Sequence, residues 1–467
     1  MKQKTKARPY QKKGIRGIEK FNGRMILADE MGLGKTFQVL RWFMKKRKRD
    51  KHLGPAIVVC PASVKYTWER EIQKHTNLRC KVLEGRKPPK RLRFGIMHPI
   101  TIINYDILGA WLPYLHSLAP EVVFLDEVQY IKNIESQRTR HTFDLCQDVP
   151  HIIGMSGTPL TNRPRELWPI LSMLRPKVFD SFWSFGTRFC RPEKKRWGWT
   201  WDGADNLGQL NKLLRRTCMI RRLKKNVLKD LPAKTRTVIP LPITNRKEYL
   251  RATHNFMDWL GEKSKLRAIK AKKAQAMVKG GYLKRLAAEL KLKAVYEWID
   301  NFLDSTDEKL VVFGLHKPIL RPLRERYHEN SVIVDGRVKG RKRRRAIDQF
   351  VSDKDIRLFI GQIKATGVGV DGLQGAASNI AIIELPWAPA DLTQVEDRLH
   401  RIGQSNAVNC YYLVAQDTIE ERLCRIIQDK QDVLGAILDN TSEGGDLQVF
   451  DLLMEELLNA SANKRAA

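Results

Sequence analysis

Short apolar runs rich in β-branched residues recur along the first third of the chain: RMILA at 24–28, AIVVCP at 56–61, ITIINY at 100–105, VVFLDE at 122–127 and HIIGMSG at 151–157. A turn signal and a helical pattern follow each one, so strands alternate with helices, which predicts a parallel sheet covered on both faces. A second series begins near Lys309 with KLVVFGLH and continues through SVIVDG, DIRLFIG, NIAIIELP and VNCYYLV. The pattern therefore predicts two α/β lobes, at 1–232 and 233–467. The first includes a helical protrusion at about 165–230.

Between the two series the periodicity changes. Leu283, Leu286, Leu290, Ala294, Trp298 and Phe302 fall three and four residues apart, predicting helices over about 245–304. From Glu262 to Lys293 eleven Lys/Arg stand against two acidic residues, either a solvated face or a polyanion contact. Gly280-Gly281 predicts a break into separate helices. An acidic helical brace is expected over about 435–467.

Composition sharpens this picture. A chain of 467 residues fits two to four domains rather than one small module. Its 85 Lys/Arg against 51 Asp/Glu give a net charge of +34, while 42% apolar residues suffice for packed cores. The excess charge thus sits on a folded protein and would gather a polyanion, nucleic acid first. The cysteines Cys60, Cys80, Cys146, Cys190, Cys218, Cys410 and Cys424 are scattered without a CxxC pair, disfavouring a disulfide scaffold or a zinc finger. No apolar run approaches the roughly 20 residues of a membrane span, and the basic N-terminus leads into no signal-peptide core. A soluble, intracellular protein is expected, with no membrane partner.

The first strand runs into DEMGLGKT, Asp29–Thr36, and then into an amphipathic helix. Gly32 and Gly34 would let backbone N–H groups turn around a phosphate, Lys35 would reach the β/γ-phosphates and Thr36 would hold Mg²⁺. Asp29 stands where the eight-residue P-loop pattern wants glycine. FLDE supplies the expected partner at a strand end: Asp126 for hydrated Mg²⁺ and Glu127 to polarise the attacking water.

At this point the residues resemble a known family, the Swi/Snf-type ATPases of helicase superfamily two, in order over nearly the whole chain. ARPYQKKG at 7–14 resembles the motif in which Gln11 reads the adenine edge, beside Arg8 and Tyr10. DEMGLGKT is the family's own form of the P-loop, with Asp29, Glu30, Met31, Gly32, Leu33 and Gly34 ahead of Lys35. VVCPASVKYTW at 58–68 and IINYD at 102–106 look like strand-end segments that touch the nucleic-acid backbone. MSGTP at 155–159, with Ser156, Gly157 and Thr158, looks like the motif that couples nucleotide state to lobe movement. KATGVGVDGLQGAAS at 364–378, with Gly369, and QVEDRLHRIGQ at 394–404, with Gln394, continue the likeness. It implies that Arg398 and Arg401 approach the γ-phosphate as arginine fingers. The segments between Ser156 and Arg236 resemble the distant subgroup with annealing helicases and compact bacterial or viral relatives.

The fold implied is a P-loop NTPase with two RecA-like parallel-sheet lobes and helical insertions. The activity implied is a DNA-stimulated ATPase using ATP and Mg²⁺, which translocates on double-stranded, branched or forked DNA without stable strand separation and anneals or remodels DNA or displaces bound proteins. Lys65, Arg343, Arg344 and Arg345, together with the run from Arg221 to Lys225, are candidate backbone contacts. A monomer is expected, and a recruiting protein stays open. Two departures stand out: Gln129 replaces the usual His after the acidic pair, and DGLQGAAS is longer than in many relatives, leaving Asp371 and Gln374 without a transferred role. Trp197, Trp199 and Trp201 allow core packing or base stacking. A catalytically weak basic DNA binder, and the same motor acting on RNA or displacing RNA polymerase, remain as alternatives.

Overall fold

The computed structural model describes residues 6–88, 98–157, 159, 163–195, 198–201, 203–262, 273–338, 340–366 and 370–427. The chain divides after Leu231 into two compact units. Among the described residues each is built on its own parallel sheet.

The sheet of the first unit comprises β1 (Arg24–Leu27), β2 (Ala56–Cys60), β3 (Cys80–Val82), β4 (Ile100–Asn104), β5 (Val122–Asp126), β6 (His151–Met155) and, beyond the hairpin of β7 (Glu193–Lys195) and β8 (Gly198–Thr200), β9 (Met219–Ile220). They lie in the order β3-β4-β2-β5-β6-β1-β9. All five predicted apolar runs are strands here. Every residue of β2, β4 and β6 is buried, as a parallel strand covered on both faces requires. The short strands β3 and β9 were not predicted, because two or three residues carry no readable period. Leu27 of β1 and Asp126 of β5 both register with Met155 of β6, so the loops leaving these three strands start level with one another. Ligands gather at such carboxyl ends in open α/β sheets.

Three helices matter for the site: α1 (Pro9–Lys20), α2 (Lys35–Arg49) and α3 (Lys65–His75). Glycine lets α1 pack closely. A Cβ at Gly14 would come within 1.9 Å of the Gln38 side chain, and one at Gly17 within 2.0 Å of Ile220.

The second unit orders its sheet β10-β15-β14-β11-β13-β12, from β10 (Lys234–Leu241), β11 (Leu310–Gly314), β12 (Ser331–Val334), β13 (Leu358–Gln362), β14 (Asn379–Ile382) and β15 (Val408–Ala415). Alternate residues of β11 serve two cores. Val311 and Phe313 pack with Leu283 and Leu286, whereas Leu310 and Val312 pack with Val295 and Ile299. Strand β10 was missed because its residues are mostly exposed, although it pairs with β15 along eight residues.

The helical stretch corrects one expectation. The helix Lys273–Leu290 runs straight through Gly280-Gly281, and the break comes at Lys291 instead. Each glycine costs about 1 kcal/mol against alanine, and burial of Leu283, Leu286 and Ala287 one turn later outweighs that cost. The basic face is also partly interior, since Lys284 and Lys291 are buried and donate to the carbonyls of Leu385 and Leu413. The Trp-rich segment divides: Trp201 packs on Gly186, Phe182 and Trp183, whereas Trp199 stays 45% exposed. The acidic brace, residues 263–272, Thr158, Gly369 and Trp197 lie outside the described residues.

Candidate active site: a phosphate loop and two carboxylates

The phosphate loop leaves β1 and ends at Gly34, the N-cap of α2. Gly32 and Gly34 have φ of 82° and 72°, the left-handed region where a Cβ is strained. A Cβ at Gly34 would also stand 2.7 Å from Gln11 Nε2. Tyr10 and Gln11 reach the loop from α1, both donating to the carbonyl of Leu33, at 3.1 and 3.3 Å. Gln11 Oε1 in turn accepts from the backbone N–H of Arg8 at 3.0 Å. The residues predicted to read adenine are therefore docked on the loop predicted to hold phosphate. Lys35 Nζ donates to the carbonyl of Asp29 at 2.8 Å. Burial lowers its pKa, against the pull of Glu127, Asp29 and Asp126. Glu30, Met31 and Thr36 are partly exposed along the loop.

Two strands away, Asp126 closes β5. Its Oδ2 accepts from Trp68 Nε1 at 2.8 Å and its Oδ1 from the N–H of Glu127 at 3.1 Å. Burial, then repulsion from Glu127, pushes its carboxyl up to about 7. Glu127 is buried with φ 49°, an uncommon backbone state for a side chain of this size. Gln129 Nε2 donates to Glu127 Oε2 at 2.7 Å, so the residue that replaces the usual His is joined to the predicted base through a neutral amide. Between the acidic strand and the loop lies the Ser156-Gly157 turn. Ser156 is fully buried, and a Cβ at Gly157 would meet Met31 at 2.4 Å.

In the second unit Gln394, Arg398 and Arg401 share one short segment. Arg398 Nη1 donates to the carbonyl of Val370 at 3.2 Å and lies 3.5 Å from Asp371, and Arg401 also pairs with Asp371. Asp371, left without a role by the sequence, is thus the counter-ion of both predicted fingers. Gln374 instead accepts from the N–H of Gly372. Buried Glu396 accepts from Lys234, Arg236 and Tyr412, fastening the segment to β10 and β15. That bond set holds its carboxyl down to about 2 although burial opposes ionisation.

The predicted DNA contacts fare unevenly. Lys65 is buried and donates to the carbonyl of Leu83 at 2.8 Å, and Arg343 is buried and donates to the carbonyl of Val338 at 3.1 Å. Neither presents its charge outward in this structure. Arg344 is exposed but paired with Asp348 one turn on, and Arg345 is exposed. In the Arg221–Lys225 run, Arg221 and Arg222 turn into the phosphate loop and Lys224 is buried. Sequence reasoning also missed Trp68 as a partner of Asp126. Its signal was an indole in a mostly polar helix, which when buried needs an acceptor.

Residues 10–294 match the SNF2-related domain, and residues 291–403 match the helicase conserved C-terminal domain. The chain is 33% identical over 438 residues to the SWI/SNF-related matrix-associated actin-dependent regulator of chromatin subfamily A-like protein 1 of Xenopus tropicalis, covering 91% of this chain and 44% of that one. It is 32% identical to the human DNA annealing helicase and endonuclease ZRANB3 over 96% of this chain and 42% of the relative. An uncharacterized ATP-dependent helicase of Mycoplasma genitalium is 27% identical over 91% of this chain and 42% of its own length. The chain thus spans less than half the length of these curated relatives. The two domain matches span most of the chain and place it in the SNF2-related family.

Proposed function

We propose that the chain is a DNA-stimulated ATPase that translocates on double-stranded or branched DNA without stable strand separation, and that it anneals or remodels DNA or displaces bound proteins. The observation that carries this reading is the convergence of Lys35, Asp126, Glu127 and Gly157 on three level strand ends, in a chain whose net charge is +34. Phosphate contacts read no sequence, so binding should be sequence-indifferent and strongly salt-dependent. Relatives named as annealing helicases favour DNA as the track.

Mg²⁺ would be held by Thr36 and Asp126. The residues fit it: Asp126, pushed toward its protonated form first by burial and then by the neighbouring Glu127 carboxylate, is a hard-oxygen ligand that a divalent cation would relieve. When bound, the ion neutralises charge on the β- and γ-phosphates. Lys35 and the loop N–H groups orient the triphosphate, and Glu127, steadied by Gln129, takes the proton of the attacking water. Arg398 and Arg401 supply positive charge where it develops in the transition state.

ATP turnover measured with duplex, forked and single-stranded DNA and with RNA, using Lys35→Ala as control, tests the reading. Low basal turnover, strong stimulation by duplex or forked DNA and loss in the control are expected. Equal stimulation by every polymer, or by none, would reject a DNA motor, and preference for RNA would move the motor to another track.

A further inference from the structure

We propose that Arg222 is a positioning residue for ATP binding: it neutralises Asp29 and so shapes the phosphate loop, although the sequence marks it only as one charge in a basic run. Asp29 occupies the first position of the loop, where the general pattern has glycine. A carboxylate there would repel a triphosphate unless its charge were cancelled. Its side chain is fully buried and Arg222 grips both of its oxygens, Nε on Oδ1 at 2.8 Å and Nη2 on Oδ2. Gln38 of α2 closes the arrangement, donating to Asp29 Oδ2 at 3.0 Å and accepting from Arg222 Nη2 at 2.7 Å.

The fork does more than pair a charge. Arg222 Nη1 donates to the carbonyl of Tyr10 in α1, and the N–H of Glu30 donates to the carbonyl of Arg222 at 3.0 Å. The N–H of Lys224 donates to Glu30 Oε2 at 2.7 Å. Main chain and side chains of 222–224 therefore hold both acidic residues that open the loop. The carbonyl that Lys35 grips belongs to Asp29 itself, so the guanidinium reaches the phosphate-binding ammonium through one residue. Next door, Arg221 Nη1 donates to the carbonyls of Ala28 and Gly157, each at 3.0 Å, and fixes the spacing of two of the three strand ends. Lysine cannot reproduce this. It carries the same charge but not the planar fork that satisfies two carboxylate oxygens, an amide and a carbonyl together.

The inference rests on ATP binding at 29–36 and not on the nucleic-acid track, so it can be read without DNA. Arg222→Lys, Asp29→Asn and the double variant are compared by affinity for a fluorescent ATP analogue, KM for ATP, kcat at saturating ATP, and Tm. Arg175→Lys is the matched control, because Arg175 is another partly buried arginine of the first unit that bridges carbonyls, those of Phe21 and Thr217, away from the loop. Arg222→Lys and Asp29→Asn should each raise KM on the order of tenfold with kcat within about threefold of the parent, and the double variant should be little worse than either single one. Arg175→Lys should lower Tm with KM unchanged. Should Arg222→Lys fail to fold, Asp29→Asn tests the same pair from its other side. A KM within about twofold of the parent in the variants that fold, or a shift no larger than that of Arg175→Lys, would overturn the proposal. So would an equal loss of DNA affinity without nucleotide, which would return Arg222 to the backbone-contact role.

Discussion

Two aspartates of this chain each hold an arginine beside the predicted chemistry, and they do so under opposite conditions. Asp29 and Arg222 are 0% and 15% exposed at the side chain, whereas Asp371 and Arg401 are 32% and 24% exposed. A buried pair with further hydrogen bonds is expensive to break, because either partner left alone is an uncompensated charge in a poorly solvated place. A partly exposed pair is screened by solvent and can be exchanged for another ion at lower cost. The first pair is therefore scaffold, and the second leaves its arginine able to change partners. This is the division of labour a hydrolase needs if its loop must stay fixed and its transition-state charge must arrive late.

The largest effect should come from removing the exchangeable arginine. Arg401→Ala should lower DNA-stimulated kcat on the order of 10³-fold while leaving nucleotide affinity nearly unchanged, since a finger acts on charge that develops only in the transition state. Loss of nucleotide binding itself, read with the fluorescent analogue, would show Arg401 to be scaffold as well and erase the contrast.

Next in size is the frame that carries this arginine. Glu396 is fully buried between Lys234, Arg236 and Tyr412. Its carboxyl falls from 4.5 to about 2, so the stability it contributes is present above pH 4.5 and is lost as pH drops toward 2. The contribution is roughly 3 kcal/mol. Glu396→Gln, which strands two cations, should destabilise the second unit by about that much at pH 7, and the difference from the parent should shrink toward pH 2. Denaturant unfolding of the full chain across that range measures it. A difference constant with pH would mean that shape rather than charge holds the segment.

These pairs also mark how far the sequence could be read. The strands were legible because a parallel sheet buried on both faces needs continuous apolar runs, and LVVFG or VVFLD can hardly be anything else. The phosphate loop and acidic strand end were legible because their chemistry is local: neighbours in sequence are neighbours in space. What failed was long-range pairing. Arg222 meets Asp29 across 193 positions and Lys65 meets the carbonyl of Leu83 across 18, and nothing in a run of basic residues says which ones turn inward. The glycine pair failed for a related reason. Local propensity predicted a break, and burial of leucines against a sheet assembled from distant strands overruled it. Asp371 went unread because its partner lies 30 residues downstream and its DG turn resembles any loop.

The smallest effect, and the most direct on the comparison, is expected from Asp371→Asn. The amide keeps the shape and one acceptor but removes the charge that holds Arg401 and lies 3.5 Å from Arg398. If the pair is exchangeable, an anionic phosphate need no longer displace a carboxylate to reach the guanidinium. Turnover without DNA should then rise about three- to tenfold, with fully stimulated turnover changed less, because a solvent-accessible ion pair contributes only about 1 kcal/mol. The opposite result is equally readable. A fall in both basal and stimulated turnover, at unchanged nucleotide affinity, would make Asp371 an orienting partner that Arg401 needs throughout the cycle, and the two aspartates would then differ in exposure but not in kind.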